Sequence, residues 1–492
     1  MHSIALIAFL YFTLNIEAKP KGCTGPSILP NKPFVIVWNH PSTACEDRGY
    51  HLNFQDWGII DNKNDKFMGE QISLFYNLGS FPSYHGNVTI NGGIPQLANE
   101  TYHLSKTQND IKSTLPSSNF SGLAVIDFEN WRPIFILNYD SLRIYQTKSL
   151  ELAKQHFPSY NNSQLFQVAT HEFEDSARSV LGKTLSLATM LRPNGSWGYY
   201  GYPRCWDTYC NTSTVQFNDQ LNWIYNISTG LYPSIYFTLN EPFNHRAQRI
   251  KMVVKETLRL KATWSPSNVQ LLPYAFSQDG PYSMFNATDL YYAIRLPADM
   301  GSSGVVLWGS SDYMRARNEC LILQQYLNTT LGPYSLDVTN FFANCSTDNC
   351  NGHGRCMKKE LETYFQFHLH KNKRDECYIR EEHLKMQSQS TLKNKATWGK
   401  AAFGNKSRRS KSSLTQQFHQ SSNNLEHFNN LGHRRVEKHF KITEKLSGRE
   451  MADYLDLLEI PTTMSMTGEL VYDYNDYVCK CYAGWSGLHC NE

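Results

Sequence analysis

Two carboxyl side chains that could perform acid–base chemistry, Asp127 and Glu129, follow a short apolar run at residues 123–126. Such a run, stopped soon afterwards by Pro133, predicts a buried strand. Residues i and i+2 of a strand point to the same side of the sheet, so the two carboxyls project together and Phe128 faces away. Carboxylates held this close cannot both ionise freely, which raises one pKa and keeps an acid protonated near neutral pH. The pair is therefore a candidate general acid and base.

A solvated strand end that carries two acids is the competing interpretation of any Asp-x-Glu sequence. Aromatic residues form 13% of the chain, with 29 Tyr and 10 Trp. Aromatic clefts suit sugar rings, which have apolar faces and polar edges, although tyrosines also pack in protein cores. The aromatic residues beside the pair, Phe128 and Trp131, favour the catalytic interpretation.

The elements expected to position these groups alternate between strands and helices. Strands are predicted at residues 33–38, 72–76, 123–128, 197–203, 232–237, 270–276 and 304–308, and helices at residues 141–155, 167–191 and 245–260. This alternation predicts parallel βα units, either in an α/β barrel or in a doubly wound sheet, with seven strands. Barrels place active sites at the carboxyl ends of their strands. The side chains predicted there are Trp38, Tyr76, Asp127, Glu129, Tyr200, Tyr236 and Trp308.

Composition and targeting signals indicate a secreted globular protein. The chain has 492 residues, 41% hydrophobic and 18% charged, with room for one large domain and a smaller one. Residues 1–18 are typical of a signal peptide, and no later apolar run reaches about 18 residues, which predicts no transmembrane helix. The net charge of only +3 does not identify a partner, and we expect no nucleic-acid partner. We therefore expect an extracellular protein without a membrane anchor.

Twelve cysteines and eleven glycosylation sequons fit that compartment. The spacing of Cys345, Cys350 and Cys356, followed much later by Cys479, Cys481 and Cys490, resembles the two ends of an EGF-like module, with zinc binding as the less favoured alternative. The asparagines predicted to carry glycans are Asn87, Asn99, Asn119, Asn161, Asn194, Asn211, Asn226, Asn286, Asn328, Asn344 and Asn405.

A long basic segment, residues 357–478, separates the two ends of that module. Its window 391–450 contains 13 Lys or Arg against 4 Glu, a net charge of +9, with many Ser, Asn, Gln and His. Such a composition buries little apolar surface and predicts disorder. A tether for polyanions and a processing site at residues 406–409 are two functional interpretations. A solvated loop exposed to proteases is favoured over either.

Several separate motifs, taken together, resemble the animal and venom hyaluronidases of glycoside hydrolase family 56. The motifs lie at residues 127–133, 197–205, 218–221, 231–236, 304–309 and 331–333. The resemblance implies an α/β fold, a distorted TIM-like (β/α) barrel of about seven strands, followed by the disulfide-rich EGF-like module. The implied domains are a signal peptide (1–18), a catalytic barrel (19–340), the EGF-like module (341–356 and 479–492) and its basic insertion (357–478).

The implied activity is hydrolysis of the β-1,4 bond after N-acetylglucosamine in hyaluronan, with chondroitin as a second candidate substrate. By this resemblance Glu129 is the proton donor and base. Asp127 raises its pKa and orients the substrate acetamido group, which acts as nucleophile in a retaining mechanism. Tyr200 and Tyr236 assist catalytically beside that group. The implied substrate-binding residues are Tyr76, Trp131, Arg246 and Trp308, with a structural role equally weighted for Tyr76 and Arg246. No metal or other cofactor is implied, and we expect a monomer.

The resemblance also implies five disulfides: Cys45–Cys320, Cys205–Cys210, Cys345–Cys356, Cys350–Cys479 and Cys481–Cys490. Cys23 and Cys377 are left to pair with each other or to remain a free or intermolecular thiol. Two departures from the family pattern are the shifted offset of Asp279 and the short interval between Cys205 and Cys210.

Two further classes of function stay open from the sequence. One is a non-catalytic hyaluronan-binding or adhesion protein on the same fold, against which the intact Asp127, Glu129, Tyr200, Tyr236 and Trp308 argue. The other is an interaction protein that works through the EGF-like module and the basic insertion. The setting also stays open between a venom spreading factor and a tissue or lysosomal enzyme.

Overall fold

The computed structural model describes residues 32–361 and 474–492, apart from residues 87, 206–209, 267–268 and 483–484 and the side chain of Asn475. The chain divides into two units, residues 1–371 with 462–492 and residues 372–461. All described residues belong to the first unit. The predicted signal peptide, Cys23, Cys377, Asn87, Asn405 and most of the basic insertion lie outside the described residues.

Short strands and longer helices alternate along the described chain, as the sequence predicts. The strands are β1 (Val35–Asn39), β2 (Ile59–Ile60), β3 (Ile72–Phe75), β4 (Ser83–His85), β5 (Val88–Ile90), β6 (Leu123–Ile126), β7 (Ser196–Tyr199), β8 (Gly230–Leu231), β9 (Gln270–Leu271), β10 (Tyr274–Ala275), β11 (Gly304–Trp308), β12 (Gly354–Lys358) and β13 (Tyr477–Cys481).

The helices are α1 (Thr43–Glu46), α2 (Glu100–Thr114), α3 (Arg143–His156), α4 (Asn162–Leu191), α5 (Thr212–Gln220), α6 (Asn222–Ile227), α7 (Phe243–Trp264), α8 (Ala287–Leu290), α9 (Leu296–Asp299), α10 (Arg317–Tyr326) and α11 (Gly332–Cys350). Two π-helical segments, Tyr291–Arg295 and Leu327–Leu331, join α8 to α9 and α10 to α11. Short 3-10 turns lie at Phe54–Trp57, Lys63–Asp65, Pro95–Leu97, Phe135–Leu137, Asp140–Leu142, Ser311–Met314 and Tyr474–Asp476.

Parallel pairing links the central strands into a nearly continuous ring. One sheet has the order β10-β11-β1-β2 and another the order β3-β6-β7, with parallel ladders throughout. Isolated parallel bridges, Tyr200 to Tyr232 and Ser234 to Tyr274, extend the pairing from β7 past β8 to β10. Six of the seven predicted strand ranges contain strand residues, whereas residues 232–237 contain only the single bridges at Tyr232 and Ser234. The two-residue β2 adds a further segment.

A side chain joins the two edges of the ring, where β2 and β3 share no ladder. The Asn62 amide donates to the Ile72 carbonyl oxygen at 2.8 Å and accepts from the amides of Gln71 and Ile72 at 3.0 and 3.1 Å. Asn62 is 3% exposed. Its amide therefore performs the bridging that backbone groups perform elsewhere in the ring.

Strict alternation along the strands separates an inner core from an outer one. The outer core, between strands and helices, includes Ile36, Trp38, Ala124 and Ile126. The inner core fills the ring and contains Val35, Val37, Ile72, Leu74, Leu123, Val125, Tyr232, Leu272, Tyr274 and Val306. Because side chains alternate along a strand, this register also determines which residues point inward where the strands end.

Two predicted strands are more irregular than expected. The ladder at Gly230–Leu231 ends just before the predicted strand at 232–237, where only single bridges at Tyr232 and Ser234 follow. Residues 270–276 split into β9 and β10. Pro273 lies at that break and cannot donate a ladder hydrogen bond. The predicted helix at 167–191 begins earlier, at Asn162, because the Asn161 side chain and Gln164 form a capping box there.

The C-terminal module shares a helix with the barrel. The predicted boundary between residues 340 and 341 falls within α11, which carries Cys345 and Cys350. Strands β12 and β13 pair antiparallel, with Met357 opposite Val478, so the predicted insertion limits of 357 and 478 lie within this pair of strands. Both boundaries are corrected accordingly. All five implied disulfides are present: Cys45–Cys320, Cys205–Cys210, Cys345–Cys356, Cys350–Cys479 and Cys481–Cys490.

Four sequon asparagines cap helices. The side-chain oxygens of Asn99, Asn161, Asn211 and Asn286 accept backbone N–H groups at the starts of α2, α4, α5 and α8. A glycan would attach to the amide nitrogen of these residues, so capping through the oxygen is compatible with modification. Among the described residues, no helix is both long and apolar enough to cross a bilayer.

Candidate active site

Asp127 and Glu129 lie at the mouth of the ring, where the register of β6 directs them. Leu123 and Val125 point into the inner core, so Asp127 continues the inward series, whereas Phe128 is buried in the outer core as predicted. The Asp127 amide donates to the Phe75 carbonyl oxygen at 3.0 Å, so pairing with β3 extends one residue past the strand. The Glu129 side chain, 55% exposed, is the more accessible of the two carboxyls.

Burial and the neighbouring carboxyl raise the pKa of Asp127 to about 7, although the positive charge of Arg204 opposes the shift. Burial is the largest cause, because a carboxylate loses hydration when it is enclosed. Two carboxyls this close titrate as a pair. The pair therefore retains one proton up to near-neutral pH. The assignment of the proton-donor role to Glu129 stays a prediction.

Tyr200 and Tyr236 face the carboxyls from the neighbouring strand ends. Their ring centroids lie 6.3 Å apart, and the Tyr200 amide donates to the Ile126 carbonyl oxygen at 2.9 Å. Burial raises the pKa of Tyr200 to about 12 and that of Tyr236 well above its usual value, with nearby negative charge adding to the Tyr200 shift. Both phenols therefore stay protonated at physiological pH and can donate hydrogen bonds to an oxygen that gains charge.

Aromatic side chains form the opposite wall of the cleft. The Trp308 indole N–H donates to the Tyr76 hydroxyl at 3.1 Å, which joins the ends of β11 and β3 across the mouth. Tyr76 is 48% exposed, and the Tyr236 ring stacks on Phe276 with centroids 3.8 Å apart. The structure thus brings together six of the predicted residues, namely Tyr76, Asp127, Glu129, Tyr200, Tyr236 and Trp308.

The substrate-binding predictions for Trp131 and Arg246 are wrong. Trp131 is 1% exposed, packs edge-on against Phe128 and Phe173, and donates its indole N–H to the Pro82 carbonyl oxygen at 2.7 Å. Arg246 is 3% exposed and forms an ion pair with Asp289. Both side chains support the barrel wall from outside the cleft.

Two arginines in the cleft were missed by the sequence reasoning. Arg204 places a guanidinium nitrogen 3.5 Å from the Glu129 carboxylate. Arg249 lines the same pocket of about 320 Å³ with Glu129, Tyr200 and Tyr236. Arg204 lies inside the motif at 197–205 and precedes Cys205, and Arg249 follows Arg246 by about one helical turn. These two sequence positions are the features from which a cleft location could have been predicted.

The shifted Asp279 has a local structural contact. Its carboxylate accepts from the Leu239 amide at 2.9 Å, which ties the loop after Tyr236 to the loop after β10. Within the described ranges, no three His, Cys, Asp or Glu side chains are grouped as a metal site.

The carboxyl pair at the barrel mouth can exchange a proton with a bound molecule. The aromatic walls beside it suit the apolar faces of sugar rings, an arrangement that fits a glycosidase. The family model described as hyaluronidase, glycoside hydrolase family 56, matches residues 23–411. The chain therefore belongs to the hyaluronidase family, as the sequence motifs predicted.

Individual relatives agree with that assignment. The chain is 40% identical over 331 residues to hyaluronidase conohyal-P1 of Conus purpurascens, covering 67% of this chain and 71% of that protein. It is 34% identical over 368 residues to human hyaluronidase-1, covering 72% and 84%. The crystal structure of bee venom hyaluronidase with a hyaluronic acid tetramer superposes with a TM-score of 0.59, at 34% identity, over 62% of this chain and 99% of that one.

Proposed function

We propose that the protein is a secreted endo-β-N-acetylhexosaminidase that hydrolyses the β-1,4 bond after N-acetylglucosamine in hyaluronan. Chondroitin, which has the same uronic acid and a related amino sugar, is the second candidate substrate. The observation that carries this proposal is the Asp127–Glu129 pair at the barrel mouth, opposite Tyr200 and Tyr236. Secretion rests on the signal-like residues 1–18 and on the sequons, which we propose carry glycans.

In the proposed reaction, Glu129 donates a proton to the oxygen of the scissile bond as the bond to the sugar carbon breaks. The substrate acetamido oxygen attacks that carbon from the opposite face, because both protein carboxyls lie on one side of the sugar. Asp127 accepts a hydrogen bond from the acetamido N–H, while Tyr200 and Tyr236 donate to its oxygen. Glu129, now a carboxylate, activates the water that opens the cyclic intermediate, which retains the configuration.

The experiment is depolymerisation of hyaluronan by the secreted protein, followed by product size from acidic to neutral pH. The expected products are even-numbered saturated oligosaccharides with N-acetylglucosamine at the reducing end. Binding of hyaluronan without any cleavage of hyaluronan or chondroitin would instead support a non-catalytic adhesion protein. The active pH range also bears on the setting, since an acidic range fits a lysosomal enzyme and a near-neutral one fits venom or matrix.

A further inference from the structure

Arg204 projects into the cleft from the loop that follows β7. One guanidinium nitrogen lies 3.5 Å from the Glu129 carboxylate, and the guanidinium carbon lies 5.4 Å from the centre of the Tyr202 ring. Gly201 has a φ of +76°, and a Cβ there would come within 3.3 Å of the Arg204 guanidinium. The turn after Tyr200 therefore leaves room for a cation beside the candidate acid.

The backbone of Arg204 is held firmly, although its side chain remains 24% exposed. Asn218 accepts from the Arg204 amide at 3.3 Å and donates to the Arg204 carbonyl oxygen at 3.0 Å. Asn218 also donates to Glu256 at 2.9 Å, and the Cys205–Cys210 disulfide closes the following loop. These contacts fix the backbone from which the Arg204 side chain extends and leave its guanidinium group at the cleft surface.

The proposed substrate carries an anion next to the scissile bond. The oxygen that Glu129 protonates is the O4 of the uronic acid that leaves. The carboxylate of that sugar is attached to C5, the ring carbon next to C4. A cation within reach of Glu129 is therefore also within reach of this carboxylate. Arginine suits the task, because its planar fork can donate two parallel hydrogen bonds to a carboxylate.

We propose that Arg204 binds the carboxylate of the uronic acid on the leaving side of the scissile bond and exchanges its contact with Glu129 for one with the substrate. This inference rests on the proposed function and specifies which substrate group is recognised. In the free protein Arg204 offsets the negative charge of Glu129. In the complex the substrate carboxylate attracts the guanidinium, which leaves the Glu129 carboxyl without this positive neighbour.

Arg249, across the same pocket, is less suited to this role. Its guanidinium donates to the Tyr236 carbonyl oxygen at 2.8 Å and contacts both carboxylate oxygens of Glu241, at 3.1 and 2.7 Å. The positive charge of Arg249 is thus already paired with the negative charge of Glu241. The Arg204–Glu129 contact is longer and more exposed, so a substrate carboxylate can replace it at lower cost.

The test compares two polymers and two variants. Arg204→Gln is paired with Arg143→Gln, which removes the same charge from an exposed position on α3. Each protein is assayed on hyaluronan and on carboxyl-reduced hyaluronan, in which glucose replaces glucuronate. We expect Arg204→Gln to lower kcat/KM on hyaluronan by about 10- to 100-fold, the range for a charge-assisted contact, and by less than about threefold on the reduced polymer. Arg143→Gln should match the unmodified protein on both.

Different failures have different meanings. An equal loss on both polymers, or no loss on hyaluronan, would overturn the role of Arg204 and leave the proposed function intact. Cleavage of neither polymer by the unmodified protein would overturn the proposed function itself. Should Arg204→Gln not fold, Arg204→Lys and the unmodified protein carry the test. The unmodified protein must then prefer native over carboxyl-reduced hyaluronan, and the lysine variant must lose part of that preference.

Discussion

Two arginine–carboxylate pairs of the same chemical type lie on opposite sides of the barrel wall. In the Arg246–Asp289 pair the side chains are 4% and 3% exposed, whereas in the Arg204–Glu129 pair they are 24% and 55% exposed. A charge enclosed by protein depends on its partner, whereas a charge at a cleft surface can exchange its partner for water or ligand. The comparison separates a pair that maintains the fold from a pair that is available to substrate.

The buried Arg246–Asp289 pair belongs to a set of hydrogen bonds that connects several elements of the fold. Arg246 also donates to the carbonyl oxygens of Glu241 and Leu239, at 2.8 and 2.6 Å, and lies over the Phe243 ring. Asp289 accepts from the Asn286 amide at the start of α8. Together these bonds join the beginnings of α7 and α8 to the loop after Tyr236, so the pair positions a wall of the cleft without entering it.

The largest expected effect comes from removing the carboxylate of the exposed Arg204–Glu129 pair. Glu129→Gln keeps the shape of the side chain but can no longer donate and accept the proton, so kcat/KM on hyaluronan should fall by about 10²- to 10⁴-fold. The midpoint of urea unfolding should stay the same, because this side chain is more than half exposed. Activity that survives the substitution would remove Glu129 from its proposed role.

Breaking the buried pair should instead affect folding. Arg246→Met leaves Asp289 buried without its cation, and the free energy of unfolding should fall by about 3–5 kcal/mol, measured by urea titration. Arg143→Met, at an exposed site, is the matched control. If Arg246→Met unfolded like the unmodified protein but bound hyaluronan more weakly, the distinction between the two pairs would fail.

The pH dependence of activity tests how the charge of Arg204 affects the neighbouring carboxyls. Asp127 has a pKa of about 7, and the charge of Arg204 holds it lower than it would otherwise be. Loss of the shared proton should therefore reduce kcat/KM as the pH rises through about 7. Arg204→Gln removes the charge that lowers the pKa of Asp127, so this alkaline limb should move to higher pH, while Arg204→Lys should leave it in place. A shift to lower pH would contradict the electrostatic argument.

The smallest expected effect is that of Arg204 on stability. An exposed ion pair contributes at most about 1 kcal/mol, so Arg204→Gln should change the free energy of unfolding by no more than that. The same urea titration used for Arg246→Met gives the comparison directly. A loss of several kcal/mol would place Arg204 with the structural arginines.

Sequence reasoning succeeded where strand periodicity determines the direction of a side chain. Residues 304–308 were predicted as the strand that β11 forms, and the alternation along β6 and β11 directs Asp127 and Trp308 to the mouth. Trp131 lies five residues beyond the end of β6, in a loop where that periodicity no longer applies, and its indole N–H donates inward to the Pro82 carbonyl oxygen.

The arginines show a second limit of the sequence reasoning. Arg246 and Arg249 are three residues apart on α7, yet one is enclosed by Asp289 and aromatic rings while the other reaches the cleft. Which side of a helix faces a cleft depends on how the helix packs against the barrel, and one sequence motif does not contain that information. Arg204 was missed because its direction depends on the turn at Gly201 and on the anchoring by Asn218.

The junction between β2 and β3 is held by the Asn62 side chain and not by a backbone ladder. In the β1–β11 ladder successive backbone hydrogen bonds support one another, whereas between β2 and β3 the amides of Gln71 and Ile72 depend on one side chain. We therefore expect these two amides to exchange with deuterated solvent sooner than those within the β1–β11 ladder. Strand β3 leads directly to Tyr76, so local opening of this junction would displace the wall of the cleft that Tyr76 forms. The barrel would then be more flexible on this side, where a long polysaccharide could be accommodated.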